Sequence, residues 1–513
     1  MQSRSVIWRD LRQVRLAAQT KYLTDHAEAT AAFKRQPVGY DGLPAILIGI
    51  LSAIEPEIWA EASASRLMGF TFEGDESGRL PSELHIGSRY DNGPMIATFS
   101  CGSCHIGHVI GEQGQKLEIL GAPNTQIDTT AFRYYLWKSL NDERLSVAKV
   151  VEILKEKPSG WFYGKANEEA ESRDRQLILA NPAAFLAGIR ATLNTREALI
   201  NRGLGDHTYR NARDLLKGGV PGSLDAFGFT VLALVLGPKL KDHSDFALTE
   251  EEIAILPPSP PMVDIMSVWQ QSQKTYSQWD GSIKNPLIRN VGAELGVIRD
   301  PVKVDRRNAE LTTALVADLP APPYPFDVDM AKATRGAEIY EMACSKCHDH
   351  NVFVGIEVLK VDQNRARGLS RSARLGLVRG LKMACGGAND AGCQVADEDV
   401  LLDRSNAPGY QAPNLAGIWA RAPYLHNGSV PTLFHFLAPN QRPREFVRGD
   451  IRFDQEKVGF QYEVGVAVGQ KVDTKWPGFT NSGHDNIETF FGGIDFERDI
   501  AARESLIEYL KTL

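Results

Sequence analysis

Cys344-Ser-Lys-Cys347-His348, with its second copy Cys101-Gly-Ser-Cys104-His105, decides how this chain is read. Two thiols separated by two residues reach the two vinyl groups of one porphyrin, and the adjoining imidazole meets the iron from the proximal face. The chain has 513 residues, six Cys and 11 His, and four of those Cys fall in these two pentapeptides. Two covalently bound haem c groups are therefore expected, on Cys101 and Cys104 with His105, and on Cys344 and Cys347 with His348. Two Cys-x-x-Cys pairs can also hold a zinc ion, but zinc sites do not need the trailing His. A redox-active Cys-x-x-Cys follows a strand and opens a helix. Neither copy is preceded by a Val/Ile-rich run that predicts such a strand.

The sequence around the second copy predicts a small cytochrome fold. A helix is expected from about Met330 to Met342, with Gly336 and Tyr340 one turn apart. A small residue and an aromatic there let a last helix cross closely. Arg503-Glu-Ser-Leu-Ile-Glu-Tyr-Leu-Lys-Thr-Leu513 supplies one, with Leu506, Tyr509 and Leu510 on one face. The fold class expected is mainly α, with two cytochrome c-like haem domains, long loops and few short strands. Residues 1 to about 95 read as largely helical, with a Gly-rich turn near Gly74 to Gly78, and Phe132-Arg-Tyr-Tyr-Leu-Trp137 opens a further helix. Pro257-Pro-Ser-Pro-Pro261 and Leu319-Pro-Ala-Pro-Pro-Tyr-Pro325 are rigid connectors. They divide the chain into an N-terminal haem domain (1–255), a connecting segment (256–325) and a C-terminal cytochrome c-like domain (326–513).

Composition narrows the function classes. Hydrophobic residues make up 43% and charged residues 24%, as in an ordinary globular protein. The net charge of −7 argues against a nucleic-acid partner. No run of about 18 apolar residues predicts a membrane span. Covalent haem attachment takes place outside the cytoplasm, so a periplasmic or secreted location is expected. The N-terminus has no apolar core of an export signal, so the signal is expected to have been removed, with Met1 not the native first residue. Cys385 and Cys393 bracket Gly386-Gly-Ala-Asn-Asp-Ala-Gly392 and are expected to close a small disulfide loop.

Ala412-Pro-Asn-Leu-Ala-Gly-Ile-Trp-Ala-Arg-Ala-Pro-Tyr-Leu-His-Asn-Gly-Ser-Val-Pro-Thr-Leu433 resembles the C-terminal signature of the dihaem cytochrome c peroxidase superfamily. In motif it is most similar to the rubber oxygenase-like dihaem c-type cytochromes, which cleave polyisoprene with O₂. The resemblance covers about 326–513 and the surroundings of residues 95–130. It implies a reactive first haem and a second haem that serves electron transfer.

The remaining ligands are read against that resemblance. Classical peroxidases carry a distal His shortly after the first attachment motif. Gly111 to Trp137 contains no His, which implies an open first haem. His108 is too close in sequence to reach the other face of the same iron, and His85, His207 and His243 stay as possible ligands. The sequence does not fix the distal acid or base of the first haem; Glu112 and Gln113 are nearby in sequence. For the second haem the family supplies its distal ligand after the Tyr-Leu-His-Asn-Gly segment. No Met follows Met383, so the candidate is His484, with His426 as the alternative. His435 reads as a helix-face residue and His350 as solvated. Family members place a Trp between the haems, and Trp269 and Trp279 are the candidates.

The expected function is an exported haem oxidoreductase, peroxidase or oxygenase. It would act on O₂ or H₂O₂ and an organic substrate that the sequence does not name, with a small electron-donor protein as a further partner. The competing reading is a pure electron-transfer cytochrome with both irons six-coordinate.

Overall fold

The computed structural model describes residues 2–72, 78–89, 93–195, 220–236, 249–257, 259–298, 300–386 and 402–513. Helices predominate and the strands are short, which is the mainly α architecture expected. No single helix among the described residues is long and apolar enough to cross a membrane.

The N-terminal core surrounds the helix Ala45–Ile54, whose residues are almost all buried. The helices Thr129–Leu140 and Val147–Glu156 and a three-stranded antiparallel sheet pack around it. In that sheet Leu43–Pro44 and Leu84–Arg89 flank Met95–Phe99, with Leu43 opposite Ala97 and Leu84 opposite Phe99. The stretch before residue 95 is thus less helical than its composition suggests. The first attachment motif also does follow a strand, Met95–Phe99, and opens the short helix Cys101–His105. Met-Ile-Ala-Thr-Phe is too brief a run for its period to betray a strand.

A second core runs through both ends of the chain. Trp8 and Phe33, Val109 and Ile119, Leu315, Tyr340, Trp419 and Leu506 belong to one buried cluster. Trp8 Nε1 donates to Phe326 O at 3.1 Å, and the N-terminal helix Gln2–Asp25 lies against the helix Met330–Ala343.

The two helices of the C-terminal part cross as the sequence predicts. Met330–Ala343 and Ile500–Lys511 pack together more extensively than any other pair of described elements. Gly336 sits at the crossing. A Cβ there would lie 2.0 Å from Ser505 O and 2.7 Å from the Tyr509 Cβ. One turn on, Tyr340 meets Tyr509 with ring centroids 5.1 Å apart.

Because the atom in the way is backbone, no side chain can rotate to relieve a contact at this point. Gly336→Ala should therefore force the helices apart and destabilise the protein by about 1–3 kcal/mol. Urea denaturation of variant and parent checks this; an unchanged midpoint would mean the crossing is looser than described.

Candidate haem sites

The first attachment helix, Cys101–His105, is fixed from several directions. Ser100 caps it, accepting from Ser103 N at 3.2 Å, while the Ser103 hydroxyl donates to Glu83 O at 2.7 Å. Asn124 N and Gly121 N donate to the carbonyls of Cys104 and His105, both at 2.8 Å. The His105 Nδ1–H donates to Met266 O at 2.9 Å. A carbonyl can only accept, so this bond fixes the tautomer and leaves Nε2 as the bare nitrogen.

The second site repeats this design. In the helix Ser345–His348, His348 Nδ1–H donates to Pro413 O at 2.8 Å, and Nε2 is again left for a metal. Cys344, Cys347 and His348 line a mostly apolar cavity of about 180 Å³.

His484 lines the same cavity as His348. Its ring lies between Phe436 and Phe490, with centroids 5.1 and 4.7 Å away. Burial first, then the His348 and Arg442 charges, push its imidazole down to about 3. A neutral imidazole is the form that binds a metal. Its backbone is left-handed (φ 59°). Arg442 clamps the turn that carries it, donating to Asn481 O at 2.6 Å, Asp485 Oδ1 at 2.8 Å and Gly483 O at 3.1 Å. The Asn-Gly-Ser part of the signature serves the same end. Asn427 Nδ2 donates to Gly478 O and Thr480 O, at 3.0 and 3.1 Å, and Ser429 Oγ donates to Thr480 O at 3.0 Å. Both residues hold the irregular segment that leads into His484.

His426 also lines this cavity, but its ring is engaged elsewhere. It stacks on Tyr410 at 4.2 Å, and its Nε2 lies 3.1 Å from the Tyr410 hydroxyl. That hydroxyl already donates to Asp362 O at 2.8 Å, so His426 is the donor and Nε2 carries its proton.

Trp269 is wedged between the two sites. A Cβ at Gly121 would meet its Nε1 at 2.4 Å, and one at Gly417 would meet its Cζ3 at 2.7 Å. Gly121 belongs to the segment bonded to His105; Gly417 follows the segment bonded to His348 and accepts no bulkier residue. Trp279 lines the cavity of the second site and donates through Nε1 to Asp264 O at 3.0 Å.

The other candidates fall away from these two cavities or are differently engaged. Glu112 and Gln113 are exposed at a hairpin tip, so they do not furnish a distal pocket. His108 is half-buried on that hairpin, opposite Glu118. His85 is half-buried on Leu84–Arg89, opposite Thr98. His435 lies in the helix Leu433–Leu437, which Thr432 caps, with its Nδ1 2.7 Å from Thr432 Oγ1, and His350 is exposed. Cys385 is disulfide-bonded. Cys393, His207 and His243 lie outside the described residues.

The four attachment cysteines form no disulfide. Burial pushes the Cys101 thiol up, and the Cys104 thiol up to about 11. A redox-active Cys-x-x-Cys needs the opposite, a stabilised thiolate. The strand before Cys101 therefore does not make this a thioredoxin-type motif. Arg289 is the observation that tests whether a haem fits. Its buried Nε and Nη2 have no acceptor among the described residues, as expected beside a porphyrin carboxylate.

Glu294, which sequence reading did not single out, is buried next to Cys101, and Asn308 Nδ2 is 3.5 Å from one carboxyl oxygen. Burial, and secondarily Asp305, raise its carboxyl to about 9. A carboxyl raised on folding contributes stability that is fully present below its ordinary value near 4.5 and is lost as pH rises toward 9. Glu294→Gln should therefore raise stability at about pH 8 by on the order of 2 kcal/mol and change it little at about pH 4. Thermal melts at the two pH values check this; an equal effect at both would exclude a neutral carboxyl.

Comparison with known proteins adds to this geometry. A family model described as RoxA-like, cytochrome c-like matches residues 409–447, which include the signature loop and Pro413. The match supports a RoxA-like haem c relationship. Two proteins of Sinorhizobium fredii (strain NBRC 101917 / NGR234) are similar. The uncharacterized protein y4iJ is 27% identical over 324 residues, covering 48% of this chain and 54% of its own length. The uncharacterized protein y4iM is 31% identical over 421 residues, covering 72% of this chain and 97% of its own length. At that identity and coverage, the chain belongs to the y4iM family and carries within it a RoxA-like, cytochrome c-like segment.

Proposed function

We propose that this chain is an exported dihaem c-type oxidoreductase in which O₂ or H₂O₂ reacts at the His105 site and the His348 site serves electron transfer. The observation that carries the proposal is the asymmetry between the two sites. His348 shares its cavity with a second imidazole, His484, and the sequence from Gly111 to Trp137 offers His105 no such partner. Haem with two imidazole ligands carries electrons, and haem with one leaves a position where O₂ or peroxide binds. The disulfide at Cys385 supports an oxidising compartment.

In this reading the residues divide their work. Cys101 and Cys104, and Cys344 and Cys347, hold the two groups covalently. Met266 O and Pro413 O orient His105 and His348 and raise their basicity as donors. Arg442, Asn427 and Ser429 hold His484 opposite His348. Trp269, tight against glycines of both segments, fills the gap between the sites with a polarisable ring and excludes water from it. A peroxidase would draw electrons from a small donor protein through the second site. An oxygenase acting on an organic substrate would not need that supply for each turnover.

The test is spectroscopic. Denatured protein should retain two haems by pyridine haemochrome analysis, and the reduced native protein should bind one CO per two haems. No CO binding would leave a pure electron carrier.

The assignment at the second site has its own test. His484→Ala should turn one low-spin signal high-spin and open a second CO site. If His426→Ala produces this change and His484→Ala does not, the two histidines exchange roles.

A further inference from the structure

Three cations lie between the two proximal histidines, and none has a carboxylate partner among the described residues. Arg289 is buried on the helix Pro286–Ile298, close enough to Cys101 and His105 for its charge to act on both. Its Nε and Nη2 are buried and unpartnered. Arg421 acts in the same way on His348. Its Nη1 and Nη2 donate to Asn414 O and Ala416 O at 2.7 and 2.5 Å, which leaves Nε buried and bare. Lys274 stands between them and is repelled by both. It lines a small cavity together with Arg289, Met266 and Pro413, the last two being the acceptors for His105 and His348. Burial pushes the Lys274 ammonium down to about 7 and the two guanidinium groups down to about 10.

Arg289 is buried and Lys274 and Arg421 are half-buried, and like charges gathered in such a partly enclosed place without counter-charge are unfavourable. Such a cluster calls for anions that the polypeptide does not provide. Each porphyrin brings a pair of propionate carboxylates on the edge away from its thioether bonds. Planar guanidinium groups match carboxylates through paired N–H donors.

We propose that Arg289, Lys274 and Arg421 form one carboxylate-binding cluster that takes propionates from both haems, with Lys274 shared between them. The proposal rests on the two-haem reading. Its consequence is electrostatic. A cation beside a haem disfavours the extra positive charge of the oxidised iron and so raises the reduction potential. A shared cation acts on both irons, whereas Arg289 acts mainly on the first and Arg421 mainly on the second.

Spectropotentiometric titration of the holoprotein tests this, with the haems of each sample counted by pyridine haemochrome. Lys274→Gln should keep two haems and lower both potentials, each reduction equilibrium shifting by about tenfold, or about 59 mV for one electron. Arg289→Gln should lower the potential of the CO-binding haem, and Arg289→Lys should restore most of it. Lys274 is only half-buried, so its replacement is the variant less prone to misfold. If Lys274→Gln retains two haems and moves one potential or neither, the shared cluster is wrong. If the parent's potentials follow added inorganic phosphate, the cluster takes a free anion, and the propionate assignment is overturned. A parent with fewer than two haems would instead defeat the two-haem reading itself, before any variant is made.

Discussion

The buried ion pair between Arg448 and Asp264 is the constraint on which both sites depend. Both side chains are almost wholly excluded from water. Arg448 also donates to Pro221 O at 2.9 Å and Gly428 O at 2.7 Å, so it ties together three distant stretches of chain. Asp264 is equally occupied along its backbone. Its N–H donates to His426 O at 2.8 Å, and its carbonyl accepts from Trp279. Two residues later stands Met266, whose carbonyl orients His105. The ion pair thus fixes the signature loop beside the second site and the carbonyl that serves the first. Removing one partner would strand a charge in the interior, a loss of about 3–5 kcal/mol. No surface pair among the described residues has comparable leverage, because exposed pairs are each worth less than about 1 kcal/mol.

What sequence reading recovers here follows from the kind of signal involved. The attachment pentapeptides are contiguous and chemically specific, so their residues can be named without coordinates. The crossing of the helices Met330–Ala343 and Ile500–Lys511 leaves a pattern at Gly336, Tyr340 and Leu506 because helix packing is periodic. The choice of His484 over His426 is less legible. It turns on a tyrosine sixteen residues from His426 that satisfies its ring nitrogen. The acceptors for the proximal histidines are backbone carbonyls, which any residue possesses, so Met266 and Pro413 carry no mark. Arg289, Lys274 and Arg421 are single cations in unremarkable surroundings and become a group only when the chain brings them together. The strand before Cys101 escapes notice because five residues cannot distinguish a strand from a loop.

The imidazoles at the second site are held differently. His348 has its Nδ1 proton anchored on a carbonyl and sits in a helix. His484 sits in a turn with left-handed backbone, and its Nδ1 is buried with no partner among the described residues. A hydrogen bond at the far nitrogen makes an imidazole a stronger donor. As ligands in the proposed reading, His348 would be the firm one and His484 the weaker one, kept in place by Arg442 and two phenylalanines more than by its own chemistry. Such an asymmetric pair would keep the reduction potential open to adjustment from one side.

Burial of the attachment thiols has a consequence for the order of assembly. Cys101, Cys104 and Cys344 are only partly exposed in the folded protein. In the dihaem reading, porphyrin would have to reach them before the surrounding chain closes. The helix Ile500–Lys511 completes the wall behind the second cavity through Leu506 and Leu510. Trp8 and Arg15, from the opposite end of the chain, close over the same region by bonds to Phe326 O and Thr512 O. In the dihaem reading these two helices would form a clasp over the loaded cofactor, and maturation would have a direction: attachment first, closure second.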